Sequence, residues 1–296
     1  MVPWRANLMP YLPDNRRQSL LRENLLQQKL SSPKNADIKS KYEETIQKHL
    51  DDGVIETVPA DDQVFCNNKV GTIDYNSSVL GTSDEHHRVI HYIPHHVVTK
   101  KDSEKVRIVF DASSRAYPGA LSLNDCIHSG PSLLTDLVEV LMRFRTYQVA
   151  LAGDITGAFH QISLSKTDRD AFRFLWHRGA KLEEYRFCRV PFGCTVSPFL
   201  LNSTVRAHFK EALKDQPDLY DLVISSLYVD DFLGGGGSAQ VVLELQTLLR
   251  KVLEEISMEW HGWQSNCGLV RSQVTQEGVG EHSVLGLTWH TGNATI

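Results

Sequence analysis

Two adjacent aspartates, Asp230 and Asp231, stand between apolar, strand-forming segments in the run SSLYVDDFLGGGG, residues 225–237. Such flanks predict a β-hairpin with the acidic pair at its tip. Like charges beside a packed core repel each other and are costly to desolvate unless a cation neutralises them. Mg²⁺ suits this need, because it binds carboxylate oxygens and keeps open positions for substrate phosphates. Since one hairpin cannot enclose the ion, we expect a third carboxylate from another segment.

Asp154 is the candidate for that third carboxylate. It lies at the end of YQVALAGDI, residues 147–155, which reads as a buried strand. Other aspartate pairs, Asp51-Asp52 and Asp61-Asp62, lie in polar stretches and are explained by turn chemistry alone. The glycine run at 234–237 is short enough to be the exit of the hairpin.

Periodicity and capping residues predict the remaining elements. We expect helices near Arg16–Leu30, over residues 36–53 with Gly53 closing the helix, over 131–145, from Ser197 onward and over about Ala239–Ile256. Strands are expected in VRIVFDA, residues 106–112, and as a single last strand in SVLGLTW, residues 283–289. The polar stretch from Gly71 to Tyr92 is expected to be a loop.

Composition restricts the function classes. The net charge of −5 argues against a simple nucleic-acid-coating protein, although Lys100, Lys101, Lys105 and Arg107 form a local basic cluster. The five cysteines show no C-x-x-C spacing, which indicates reduced thiols rather than a zinc site. No apolar run is long enough for a membrane span, and the N-terminus has no apolar signal core. We therefore expect an intracellular, cytoplasmic protein that is not secreted.

Several motifs resemble those of a known enzyme family. ALAGDITGAFHQISL, VPFGCTVSPFLL and LYVDDFLG are similar, in this order, to the three core motifs of a reverse transcriptase. YIPHHVV, KVRIVFDASS, LSLNDCIHSGP and RFLW resemble the polymerase of BEL/Pao-type long-terminal-repeat retrotransposons, and VLGLTW resembles the segment that grips the primer end. The resemblance extends from about Pro3 to Trp289.

The resemblance implies an α+β fold: the fingers and palm of a right-hand polymerase, with a small, mostly antiparallel sheet backed by helices and no thumb. It places an N-terminal helical lead-in at 1–60, fingers at 61–147 and palm at 148–296, with further fingers elements between about 160 and 190. The implied partners are an RNA or DNA template with its primer, a deoxynucleoside triphosphate and other segments of a polyprotein. An expressed element would carry the chain into a virus-like particle.

The resemblance also assigns the site. Asp154, Asp230 and Asp231 are the catalytic carboxylates, and together with the Ile155 carbonyl they are expected to bind two Mg²⁺ ions, with Mn²⁺ as an alternative. Two ions about 3.5–4 Å apart activate the primer hydroxyl and stabilise the leaving oxygen. The nucleotide is assigned to Lys100, Arg107, Phe159, Phe192 and Gly193, of which Phe159 is the gate against a ribose 2′-hydroxyl. Template and primer are assigned to Tyr228, Val229, Leu285 and Gly286.

One position departs from the family pattern. A lysine thought to assist pyrophosphate departure is replaced by Gly262, in a run of residues 258–266 that we expect to form a loop. This departure keeps a second interpretation open, namely a catalytically inactive retrotransposon remnant with at most weak nucleic-acid binding. A two-metal phosphatase or nuclease would also explain the carboxylates, but not the gate or the basic cluster.

Overall fold

A computed structural model describes residues 1–59, 62, 89–99, 106–274 and 279–292. The chain divides into two compact units, Met1–His128 with Ser163–Val196 and Ser129–Ile162 with Ser197–Ile296. Among the described residues, no helix is both long and apolar enough to cross a membrane.

The described helices and strands are numbered here in chain order. The helices are α1 Arg16–Leu30, α2 Ala36–Asp51, α3 Leu137–Phe144, α4 Ser197–Ala212, α5 Pro217–Ser225, α6 Ala239–Glu254 and α7 Gly268–Val274. The strands are β1 Ile55–Thr57, β2 His95–Thr99, β3 Val106–Phe110, β4 Val149–Ile155, β5 Arg173–Arg178, β6 Lys181–Phe187, β7 Leu227–Tyr228, β8 Asp231–Gly236, β9 Trp260–Ser265, β10 Glu281–Val284 and β11 Leu287–His290.

The first unit contains an antiparallel sheet in the order β1-β6-β5, a separate β2-β3 hairpin and the helices α1 and α2. Its core is aromatic: Tyr42 of α2 stacks on Trp176 of β5 with ring centroids 4.6 Å apart. Arg173 is fully buried, and its guanidinium is neutralised by Asp170 at 2.7 Å and Glu184 at 3.4 Å. This pairing allows a charged side chain inside the sheet's core.

The second unit contains an antiparallel sheet in the order β7-β8-β4-β9 and the β10-β11 hairpin. Because side chains alternate along a strand, Ala152 and Leu233 share one face, where they pack against Phe144 of α3 and Trp289 of β11. Gly153 and Phe232 lie on the opposite face, where the Phe232 ring contacts those of the β9 tryptophans. The side chains of β8 therefore pack against α3 and β11 on one face and against the tryptophans of β9 on the other.

Several expectations about the elements are confirmed. The first helix has the predicted bounds, and the second ends just before Gly53, which has the left-handed φ of +64° that closes a helix. The Asp-Asp hairpin, the strand that ends near Asp154 and the helix that begins at Ser197 are also present. Of the loop expected between Gly71 and Tyr92, residues 71–88 lie outside the described residues.

Four expectations were wrong. Helix α3 begins only at Leu137, because the Asp136 side chain caps it by accepting from the Glu139 N–H at 3.0 Å; the apolar residues 133 and 134 precede it. SVLGLTW is part of a hairpin, β10-β11, rather than one strand. Residues 260–265, expected in a loop, form β9. The glycine run lies mostly inside β8, where a Cβ on Gly235 would lie 2.3 Å from the Val149 carbonyl oxygen.

Candidate active site

Four side chains form a row across the sheet of the second unit. Asp154 of β4 is directly opposite Asp231 of β8, Asp231 is opposite Tyr228 of β7, and Asp154 is opposite His261 of β9. Residues directly opposite each other on neighbouring antiparallel strands project to the same face. The row lies on the face that also carries Ala152 and Leu233, beyond the apolar core formed with α3.

Asp230 lies next to this row in the turn between β7 and β8. The turn consists of Val229 and Asp230, and Val229 has a φ of +56°, which is strained for a β-branched residue. The Asp230 carbonyl accepts a hydrogen bond from the Ile155 N–H at 2.9 Å, so the turn is tied to the end of β4. The structure thus brings together the three aspartates that the sequence singled out.

The carboxylates affect one another electrostatically. Partial burial raises the pKa of Asp231 to about 6, and the charges of Asp230 and Asp154 add to the increase. Burial also raises the pKa of Asp230, with a further contribution from Asp154. Ionising Asp230 and Asp231 therefore costs free energy in the folded protein, and positive charge nearby would reduce that cost.

This set of donors fits a hard divalent cation. All the carboxylates offer oxygen atoms and remain partly exposed, and each would be relieved of repulsion by a bound cation. Among the described residues, however, no group of three or more His, Cys, Asp or Glu side chains is already arranged to hold a metal ion. The carboxylates thus have the chemistry that a divalent ion needs, but among the described residues they do not form a ready-made metal site.

The predicted primer-end residues lie at the tip of the β10-β11 hairpin. Leu285 and Gly286 form its two-residue turn with φ values of +48° and +83°, as a type I′ turn requires. The flanking Val284 and Trp289 are buried against α3 and the sheet, and the rings of Trp289 and Phe144 are 5.0 Å apart. Packing thus fixes this turn in the same unit as the aspartates.

Phe159 belongs to the same unit. It lies in a short 3-10 turn, Ala158–Gln161, that starts from Gly157 with a φ of +54° and packs against α4. The side chain is only 9% exposed. This burial is compatible with a gate that shows one ring edge and also with simple core packing, so the gate remains a prediction.

The other predicted nucleotide-binding residues belong to the first unit. Arg107 is exposed on β3 of the β2-β3 hairpin, and Lys100 lies outside the described residues. Phe192 is 43% exposed. Gly193 has a φ of +90°, and a Cβ there would lie 2.3 Å from the Phe110 carbonyl oxygen. The fold of its own unit therefore requires this glycine, and its contact with a nucleotide remains a prediction.

The sequence did not predict that His261 and Gly262 lie beside Asp154. A Cβ on Gly262, whose φ is +61°, would lie 3.1 Å from the Asp154 Oδ1 atom. The segment was missed because its tryptophans, Trp260 and Trp263, are three positions apart and so break the two-residue period of a strand. An isolated glycine inside a strand indicates a β-bulge, which explains the broken period.

The family model described as "Reverse transcriptase (RNA-dependent DNA polymerase)" matches residues 88–262, which is more than half of the chain. The chain therefore belongs to the reverse transcriptase family. A comparison with curated proteins finds no match.

One of two similar solved structures shows the same fold class. The foamy viral protease-reverse transcriptase in complex with double-stranded DNA is similar with a TM-score of 0.54 and 17% identity, over 86% of this chain and 34% of that one. A selenomethionine-labelled mutant of the prototype foamy virus protease-reverse transcriptase matches with a TM-score of 0.49 and 17% identity, over 75% of this chain and 23% of that one. The chain thus spans about a third of the length of the first of these proteins.

Proposed function

We propose that the chain is the polymerase portion of a retrotransposon reverse transcriptase, of the BEL/Pao type that its motifs resemble. It would extend a primer along an RNA or DNA template by two-metal nucleotidyl transfer. The observation that carries the proposal is the alignment of Asp154 with Asp231 across β4 and β8, with Asp230 in the adjoining turn. Such an element would use the enzyme inside the cell, in a virus-like particle.

In this proposal Asp154, Asp230, Asp231 and the Ile155 carbonyl hold two Mg²⁺ ions, or Mn²⁺ in their place. Bound divalent ions supply charge neutralisation at the primer hydroxyl and at the triphosphate. The part of the protein is mainly to hold its carboxylates in position before the substrate arrives.

The substrates are assigned to residues in several segments of the chain. Tyr228 and Val229 of the strained hairpin, and Leu285 and Gly286 of the β10-β11 turn, would contact the template and primer. Phe159 would exclude a ribose 2′-hydroxyl. The fingers, expected at 61–147 with further elements between about 160 and 190, would contact the nucleoside triphosphate through Lys100 and Arg107, with arginine suited to bidentate phosphate binding. Phe192 and Gly193 would contact the nucleotide from the palm, expected at 148–296.

Primer extension on an RNA template in Mg²⁺ tests the proposal. We expect extension by the wild-type chain, and loss of all extension by Asp230→Asn, because the substitution keeps the shape of the side chain and removes the charge. Asp215→Asn, at an exposed aspartate of the same unit, is the matched control and should extend normally. Extension by Asp230→Asn within about threefold of wild type would show that the metal-site assignment is wrong.

The sequence departs from the resemblance at Gly262, where a lysine is implied, and this departure leaves a second candidate function, an inactive remnant that binds nucleic acid weakly. A wild-type chain that binds a primer-template duplex but never extends it, in Mg²⁺ or Mn²⁺, would support the remnant.

A further inference from the structure

Strand β9 carries one more residue than the part of β4 with which it pairs. Ala152 is opposite Gln264 and Asp154 is opposite His261, so Gly262 and Trp263 together face the single residue Gly153. Gly262 has a φ of +61°, as the first residue of a G1-type β-bulge requires. This bulge, Gly262–Trp263, therefore lies beside the strand segment that ends in Asp154.

The bulge places two tryptophans on one face of the sheet. Trp260 and Trp263 are three residues apart and would project to opposite faces of a regular strand, but the extra residue brings them together, with ring centroids 5.1 Å apart. Trp260 is anchored to α6, because its Nε1 donates to the Leu249 carbonyl at 3.0 Å. The tryptophan pair is thus held by the sheet and by a helix.

The Trp263 ring lies directly against the backbone of β4. A Cβ on Gly153 would lie 2.6 Å from the ring, closer than carbon atoms can approach, so only glycine fits before Asp154. On the other face, a Cβ on Gly262 would lie 3.1 Å from the Asp154 Oδ1 atom. The bulge therefore contacts β4 at Gly153, next to Asp154, and position 262 adds no side chain at the Asp154 Oδ1 atom.

We propose that the Gly262–Trp263 bulge positions the Asp154 carboxylate. The Trp263 ring supports the β4 backbone at Gly153, and Gly262 is required because any side chain at that position would contact the carboxylate. The consequence for metal binding rests on the function proposed above. Gly262 is then a structural requirement of this sheet and not a degraded lysine position.

A pair of matched variants separates contact from backbone strain. Gly179, in the turn between β5 and β6, has a φ of +63° and nothing within 4 Å of an added Cβ. Asparagine tolerates this left-handed conformation better than other residues, so Gly262→Asn and Gly179→Asn impose a similar backbone cost. Only the substitution at position 262 places atoms against Asp154.

The measurements are the affinity of the full chain for MnCl₂ by isothermal titration calorimetry and the crystal structures of both variants. We expect Gly262→Asn to weaken Mn²⁺ binding about tenfold, as changes behind metal ligands do, and Gly179→Asn to leave it unchanged. The Asp154 carboxylate should be displaced in Gly262→Asn alone. Trp263→Phe is the second variant and should also weaken Mn²⁺ binding, because the smaller ring supports Gly153 less well.

Equal Mn²⁺ affinity in Gly262→Asn and Gly179→Asn, with Asp154 superposing on its wild-type position, would overturn the positioning proposal. A wild-type chain that binds no Mn²⁺ would instead overturn the proposed metal site. In that case the crystal structures still test the positioning proposal. An Asp154 that does not move in Gly262→Asn refutes the proposal, and a displaced Asp154 supports it. If Gly262→Asn does not fold, Trp263→Phe decides the question, since wild-type Mn²⁺ affinity and an unmoved Asp154 in that variant would refute the positioning.

Discussion

Asp231→Asn should stabilise the metal-free protein at neutral pH. Asp231 is partly buried between Asp230 and Asp154, and this environment raises its pKa to about 6. At pH 7.5 the folded protein must nevertheless hold the side chain in its charged form. Asparagine has nearly the same shape and carries no charge, so the substitution removes the repulsion while it preserves the packing.

The pKa values of Asp231 in the folded and unfolded states determine how this carboxyl changes stability with pH. In the unfolded chain the pKa is near its ordinary value of 3.8, below the value of about 6 in the folded state. The contribution of this carboxyl to stability is therefore fully present below about pH 4 and is lost as the pH rises through 6. The difference corresponds to about 3 kcal/mol at most, and solvent screening of a partly exposed side chain reduces it to about 1–2 kcal/mol.

Thermal unfolding in EDTA measures this effect. A gain of about 1–2 kcal/mol raises the Tm by about 2–6 °C for a chain of this size. The gain of Asp231→Asn should be full at pH 7.5 and much smaller at pH 4.5, where the folded wild type is already protonated. Asp215→Asn, at an exposed position, should show no such dependence. A variant that is no more stable than wild type at pH 7.5, or equally stabilised at both pH values, would refute the reasoning.

Gly235→Ala should destabilise the second unit by about 3 kcal/mol in chemical denaturation, because its Cβ would lie 2.3 Å from the Val149 carbonyl oxygen; Gly237→Ala, with open space around it, is the control. Asn15→Ala should cost about 2–3 kcal/mol in the same assay, because the Asn15 amide accepts from the Tyr92 N–H at 2.7 Å and donates to the Tyr92 carbonyl at 2.6 Å. Without it the buried N–H loses this partner, and the carbonyl keeps the bond from the Ser19 hydroxyl at 3.3 Å. Phe159→Val should raise the kcat/KM for a ribonucleotide relative to its deoxy counterpart, if the ring is the gate. An unchanged ratio of the two kcat/KM values would show that Phe159 only packs in the core.

Local signals in the sequence were sufficient for the helices and for the acidic hairpin. The bounds of α1, the closure at Gly53 and the strand before Asp154 follow from periodicity, glycine chemistry and apolar runs, each of which is contained in a few neighbouring residues. The three aspartates could be grouped from the sequence alone, because all lie at ends of predicted strands. Their role as metal ligands, and the nucleotide-binding residues, remain predictions.

Features that depend on distant neighbours were missed. Nothing near Gly235 in the sequence indicates that the Val149 carbonyl approaches it. The glycine run was therefore assigned to the exit of the hairpin, although most of it belongs to strand β8. Strand β9 was missed because the bulge at Gly262 breaks its period, and a bulge has meaning only against the partner strand, β4. One miss was local: helix α3 was extended too far because Leu133 and Leu134 match the helical period, while the cap at Asp136 decides where the helix begins.

The position of β4 in the sheet has a consequence for the order in which a ribosome delivers the strands. Strand β4 is central, with β8 on one side and β9 on the other, and β9 ends roughly a hundred residues after β4 along the chain. The ribosome adds about 5–20 residues per second, so both partner strands are synthesised only on the order of 5–20 s after β4. During that time an apolar strand has two unpaired edges, which are templates for association with other chains. Nascent chains that are paused between α4 and β9 should therefore be the ones that bind chaperones most strongly.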